Sequence, residues 1–311
     1  MPERRASSKL FYSSSKHTSP AFAIPGPSTI AYLVFLFCRF ETDMLNRKPS
    51  IKELGIDLLT LTGFQLVSTL LIPFAFCTFY FVFAFNNNWF FAVLCTVGLS
   101  FTSYGSTSHD LVHENLRINK KLNSFLLFFL ELICFRSGHA YRLSHLYHHK
   151  RYPHEDDVEG AASRMTFLRT LLEGVIFQLK IYIWALGRYK RSRHFRLILL
   201  EGIAILFLVL CCFIGLAYTP VLFVYMILMI VGSWIIPLIT SYAVHTPDGS
   251  NELQQTRLFR GKFFSIFAFN HLYHLEHHLY PMVPHKNWPK LARRLDNYFR
   301  SENVRAVEIN L

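Results

Sequence analysis

The sequence predicts an all-α integral membrane protein: four transmembrane helices carrying a helical cap on the cytoplasmic side. Three observations carry this reading. Of 311 residues, 52% are hydrophobic and the mean hydropathy is +0.27, too apolar for an ordinary soluble domain. That apolarity is concentrated in two regions, Asp57–His109 and Leu197–His245, which contain no Lys or Arg. Finally, eight of the fifteen histidines fall in three short clusters, each at the end of, or between, apolar stretches.

Taken in order, the first 28 residues are rich in Ser and Pro, and their basic start lacks an apolar core directly behind it, which argues against a cleaved signal peptide. Ile30–Phe40 is apolar but too short to cross and is predicted to lie in the interface. Each Lys/Arg-free region is long enough for two crossings at about 20 residues per helix. The spans are placed at Phe64–Phe85, Trp89–Ser108, Leu197–Ala217 and Val221–Thr240, with Asn86–Asn88 and Tyr218–Pro220 as tight turns. Phe125–Phe135 is only about half a membrane long, and Met165–Leu186 mixes apolar residues with Arg169, Glu173 and Lys180. Both read as surface-lying helices, and Trp288–Phe299 as a helix with Pro289 near its start.

Charge gives an independent test. Lys and Arg number 8 before Asp57, 15 between His109 and Leu197, and 9 after His245, which accounts for all 32. With four spans these regions share one side, cytoplasmic by the positive-inside tendency, and all three histidine clusters fall on it. The net charge of +12 follows from that sorting and from attraction to anionic headgroups; a basic face would also suit an acidic electron-transfer partner. Nucleic acid is excluded as the explanation, since the cations are already accounted for. Cysteines 38, 77, 95, 134, 211 and 212 lie mainly in apolar runs and form no C-x-x-C pair, which argues against a cysteine-based zinc or iron–sulfur site.

The clusters are His109-x-x-x-His113, His145-x-x-His148-His149 and His274-x-x-His277-His278. On a helix, residues i, i+3 and i+4 share one face, so an H-x-x-H-H segment aims three imidazoles into an arc of about 100°. Three such segments at one membrane depth could surround one or two metal ions. Neutral imidazole suits iron, zinc and copper alike. Eight histidines are twice what a closed tetrahedral zinc needs, and the surplus points to two metals with open positions for oxygen. Ligating histidines commonly donate their other ring N–H to a carboxylate; Asp110, Asp156, Asp157, Glu159 and Glu276 are the acidic neighbours available. His245, at the end of the fourth span, is a candidate ninth ligand. His271, one turn before His274, is a weaker candidate, and His139, His154 and His285 read as supporting or surface residues. A metal transporter or a haem protein fits poorly: transporters place ligands near mid-membrane, and haem needs one or two axial histidines.

From Trp89 to Leu295 the chain resembles the membrane fatty acid desaturase superfamily, which includes carotenoid ketolases and hydroxylases. The resemblance rests on HDLVH (109–113), YRLSHLYHH (141–149) and NHLYHLEHHLYPMVP (270–284), with Pro281 and Pro284 after the third box. It implies a non-haem di-iron enzyme using O2 and two external electrons. The implied ligands are His109, His113, His145, His148, His149, His274, His277 and His278, with His245 matching the histidine the family places between the last span and the third box. No cytochrome b5-like or ferredoxin-like appendage is visible, so a separate donor of ferredoxin, cytochrome b5 or rubredoxin type is implied. The chain then divides into a flexible or interfacial segment (1–56), a membrane catalytic unit (57–300) and a tail (301–311). A lipid-like substrate would enter from the bilayer between the spans. Desaturation of an acyl-lipid or acyl thioester is the leading expectation. Carotenoid ketolation or hydroxylation is the alternative, since HDLVH with Leu122-Asn123, and Tyr242-x-x-His245, are also similar to ketolases. Hydroxylation of a lipid or alkane chain would use the same chemistry.

Overall fold

The computed structural model describes residues 47–261 and 270–309, and every structural statement below refers to these. The Ser/Pro-rich start, Ile30–Phe40 and the last two residues of the tail lie outside the described residues.

Four helices are long and apolar enough to cross a membrane: Ile56–Phe85, Trp89–Val112, Arg193–Gly215 and Val221–Tyr242. The main part of the first is α1 (Gly63–Phe85). Thr62 caps it: its Oγ1 accepts from Gln65 N–H at 3.2 Å while Gln65 Oε1 accepts from Thr62 N–H at 2.9 Å. The turn at Asn86–Asn88 returns the chain into α2 (Trp89–Thr102), which passes through a wide π-helical turn, Ser103–Thr107, into one more turn, Ser108–Val112. The second span therefore runs four residues beyond its expected end and buries His109 and Asp110. Outward-facing side chains such as Phe64, Phe90 and Phe207 are 83%, 70% and 67% exposed, an apolar belt that suits contact with hydrocarbon.

Asn119 caps α3 (Lys120–Ile133), and Ser137 caps α4 (Gly138–Arg151), which carries the second histidine cluster. The expected single helix over Met165–Leu186 is instead two, α5 (Phe167–Gly174) and α6 (Phe177–Arg188), bent by 71°. Gly174 ends the first against span four: a Cβ there would lie 2.0 Å from the Trp234 carbonyl oxygen, so only glycine allows the approach. The third span, α7 (Arg193–Gly215), starts four residues before its expected position. Arg193 and Arg196 occupy its first turn, where long stems can lie along apolar surface with the charge in water. The fourth begins as α8 (Val221–Gly232) and continues through a 3-10 turn, Ser233–Ile235, and a π turn, Leu238–Tyr242. Pro237, which has no N–H to give, sits between the two turns.

Beyond the spans, α9 (His274–Leu279) and α10 (Trp288–Ser301) form one core with Leu54 and Leu58. Asn287 pins this layer to the start of span one, donating from Nδ2 to the carbonyls of Leu58 and Thr60 at 2.9 and 3.0 Å. The described residues are mostly helical, as expected, with one short addition. Leu258–Arg260 (β1) and Ala306–Glu308 (β2) pair in parallel, Leu258 opposite Ala306 and Arg260 opposite Glu308. Three-residue strands are too short to show a period of two, which is why the sequence hides them.

Candidate metal centre

Four separate segments deliver nine imidazoles to one place. His109 and His113 come from the last turn of the second span, His145, His148 and His149 from α4, His245 from the segment after the fourth span, and His274, His277 and His278 from α9. Their ligand atoms form two groups, each with all atoms within 4.8 Å of one another: His109, His113, His145, His149 and His277 in one, His148, His245, His274 and His278 in the other.

Helix geometry explains the division. Residues i and i+4 differ by about 40° in direction, whereas i+3 turns about 60° the other way. In α4, His145 and His149 therefore serve one group and His148 the other; in α9, His274 and His278 serve one and His277 the other. Each H-x-x-H-H helix straddles both centres, in opposite senses. The remaining histidines are unequal, with the pair His109/His113 on one side and His245 alone on the other.

Nitrogen spacings test whether metal would fit. Within the first group Nε2 atoms stand 3.0 Å apart for His109–His277, 2.7 Å for His277–His149 and 3.1 Å for His149–His145. Within the second they are 3.2 Å for His148–His245, 3.2 Å for His245–His278 and 3.1 Å for His278–His274. Nitrogens about 2.1 Å from a common ion and at right angles would be about 3 Å apart, so the donor sets fit.

The other ring nitrogens fix the tautomers. His145 Nδ1–H donates to Glu159 at 2.9 Å, His148 Nδ1–H to Asp157 at 2.7 Å, and His245 Nδ1–H to the Ser241 carbonyl at 3.2 Å, each leaving Nε2 as the lone-pair donor. Asp157 is itself held by N–H groups of Glu159 and Gly160, both at 3.1 Å. Burial first, then neighbouring imidazoles, holds His149, His274, His277 and His278 well below the usual histidine range, so they are neutral donors. His113 and His245 are shifted the same way, burial again leading. His148 is the exception: burial works against its charge, but the Asp157 carboxylate outweighs it and holds the imidazole above its usual value.

Asp110 is buried and accepts from the His285 backbone N–H at 2.9 Å rather than from an imidazole. Glu276, fully buried, takes Arg260 Nη1 at 2.6 Å, while Arg260 also reaches Asp296. Asp156 is exposed and bonds Tyr147 and His154; it touches none of the nine histidines, so of two adjacent aspartates only Asp157 supports the site. His271 bonds the Phe101 carbonyl at 3.3 Å, outside both groups, and burial pushes it down to about 4. His285 lies 4.7 Å from the Trp288 ring. His139 Nδ1 meets Glu201 at 2.5 Å.

Two features escaped the sequence reading. Trp288 closes one wall, its ring 4.9 Å from His277 and edge-on to His109 at 5.3 Å. Glu201, buried within the third span, accepts from Ser137 Oγ and from the His139 backbone N–H. Its signal was present as a carboxylate inside an apolar run, a placement that demands partners.

A narrow cavity bounded by Gly105, His145, His148, Thr240 and His271 reaches both groups. A second, walled by Ser100, Phe101, Ile235, Ile236 and Ile239, shares Tyr104, Gly105, Thr240 and His271 with it. Together they lead from between the second and fourth spans to the histidines. The π turn brings Gly105 against His271, where a Cβ would fall 1.7 Å from the ring.

Comparison with known proteins agrees with this architecture. The family model described as "Fatty acid desaturase" matches residues 86–309. No curated protein matches the chain. That match covers most of the chain and takes in all three histidine clusters and His245: the chain belongs to the fatty acid desaturase family.

Proposed function

We propose that this membrane protein is an O2-dependent di-iron oxidoreductase that desaturates fatty acyl chains, as acyl-lipids or acyl thioesters. The observation that carries the reading is the convergence of nine imidazoles into two adjacent groups with spacings suited to metal. When bound, two iron ions would supply reductive activation of O2 and so the power to take hydrogen from an unactivated C–H bond. Every other task falls to the chain. His109, His113, His145, His149 and His277 would hold one ion and His148, His245, His274 and His278 the other. Glu159 and Asp157 keep His145 and His148 in the tautomer that presents Nε2. Trp288 and the stacked Tyr104–Tyr141 pair, 4.1 Å between ring centroids, exclude water from the site. The passage between the second and fourth spans is narrow, and its widening would admit an extended apolar chain.

Sidedness follows the charge argument, with the histidine clusters cytoplasmic. Electrons would come from a separate ferredoxin, cytochrome b5 or rubredoxin-type protein. Expression in a host with iron and reductant, followed by fatty acid profiling, tests the reading; unsaturation identical to the host's would overturn it. The sequence similarity around Tyr242-x-x-His245 sustains carotenoid ketolation or hydroxylation as the second reading. Co-expression with a β-carotene pathway separates the two, since keto or hydroxy pigments would replace the desaturase reading.

A further inference from the structure

An apolar cavity lies away from both histidine groups. Of about 430 Å³, it opens where the α5–α6 bend meets the third and fourth spans, and none of the nine histidines lines it. Its size falls in the range of about 300–1,000 Å³ that holds an organic ligand. Leu179, Ile203 and Leu206 on its walls are 56%, 56% and 69% exposed, and the last two belong to a membrane-crossing helix, so it opens toward hydrocarbon.

Two polar residues interrupt this apolar wall. Arg136 and Gln178 both line the cavity, and Arg136 Nη1 and Gln178 Nε2 are buried without a hydrogen-bond acceptor among the described residues. A buried donor left unpaired costs about 1–3 kcal/mol, a cost that an acceptor from outside the chain would remove. Its charge is constrained as well. Glu131 already neutralises Arg136, with contacts of 2.7 and 3.2 Å, and Ser103 Oγ accepts from it at 2.8 Å. Ser137, also on the wall, holds the buried Glu201 carboxylate. An incoming anion would face the Glu131 and Glu201 carboxylates, which already engage Arg136 and His139, whereas a neutral carbonyl oxygen would meet only the free donors.

We propose that this cavity is a lipid site separate from the metal centre: it takes one acyl chain of a neutral or zwitterionic glycerolipid, whose ester carbonyl accepts from Arg136 and Gln178. The site adjoins the histidine cavity without entering it. The Arg136 guanidinium lies 5.2 Å from the Tyr104 ring, and Tyr104 also lines the passage to the histidines.

The test uses the full chain in nanodiscs and a phosphatidylcholine carrying a diazirine midway along one acyl chain. Photolabelling should concentrate on Val175–Tyr182 and Leu199–Leu206. An unlabelled fatty acid methyl ester should compete at least tenfold better than the corresponding free acid at pH 8. Ile203→Trp, which fills the cavity, should abolish labelling there, and Gln178→Leu should weaken it about fivefold, with metal content unchanged in both. Labelling spread evenly over lipid-facing positions such as Phe64 and Phe207 and untouched by Ile203→Trp would mean annular lipid only and overturn the proposal. Better competition by the free acid would overturn it too. Because the readout is labelling, the result stands whether or not desaturation is found.

Discussion

The Nε2 atom of His148 stands 3.2 Å from that of His245, although 97 residues and two apolar helices separate them in the chain. His148 belongs to α4 and His245 follows the fourth span, so this contact brings two distant segments together in the second histidine group. Either residue alone is unremarkable; their meeting turns a histidine at a span end into part of a site.

Removing one ligand should empty one centre and spare the fold. His277→Ala is expected to remove metal from the group with His109, and His148→Ala from the group with His245. Metal analysis of membrane-extracted protein should show about half the wild-type content, with turnover abolished and membrane insertion intact. Full metal content in either variant would remove that residue from the site.

Adjacent aspartates should behave differently. Asp157→Asn weakens the acceptor of the His148 Nδ1–H, and loss of such a partner typically costs 10–100-fold in metal affinity. Asp156→Asn alters only an exposed contact and should leave affinity within about twofold, as surface changes generally do. Equal effects in a competitive chelator titration would show that Asp157 does not act through His148.

Gly105→Ala should be destabilising in a way that a second substitution repairs. The new methyl would collide with the His271 ring, at an expected cost of about 1–3 kcal/mol for overpacking. Adding His271→Ala removes the obstacle, so the double variant should be more thermostable than Gly105→Ala alone. A strictly additive pair would show that glycine is needed here for another reason.

Acidification should weaken the metal-free protein. Unfolded histidines take protons near pH 6.5, while His149, His274, His277 and His278 stay neutral in the fold well below that. Below about pH 6.5 the unfolded state therefore binds more protons, and stability falls as pH drops. His148, held above its usual value, acts in the opposite sense but is outnumbered. The melting temperature of chelated protein should fall between pH 7.5 and 5.5, and metal affinity with it. A melting temperature that rises on acidification would contradict the neutral assignment.

Some of this protein was legible in the chain because the relevant forces are local. Hydrocarbon demands about 20 apolar residues per crossing, so the four spans and the two turns between them could be read directly, with ends displaced by no more than eight residues. The i, i+3, i+4 spacing of H-x-x-H-H likewise announces three imidazoles on one helix face wherever it occurs. Neighbouring Asp156 and Asp157 look alike in sequence, and only the fold after α4 turns one toward His148 and the other to solvent. The two-group division, the π turn that brings Gly105 to His271, and the union of Glu201 with Ser137 and His139 depend on how helices sit against each other. Short-range periodicity carries no record of that. Composition and spacing settled what each segment is, since those are properties of a few turns of chain. Tertiary packing alone decided which residues meet, because bringing imidazoles 128 residues apart, His149 and His277, to 2.7 Å takes the packing of helices far apart in the chain.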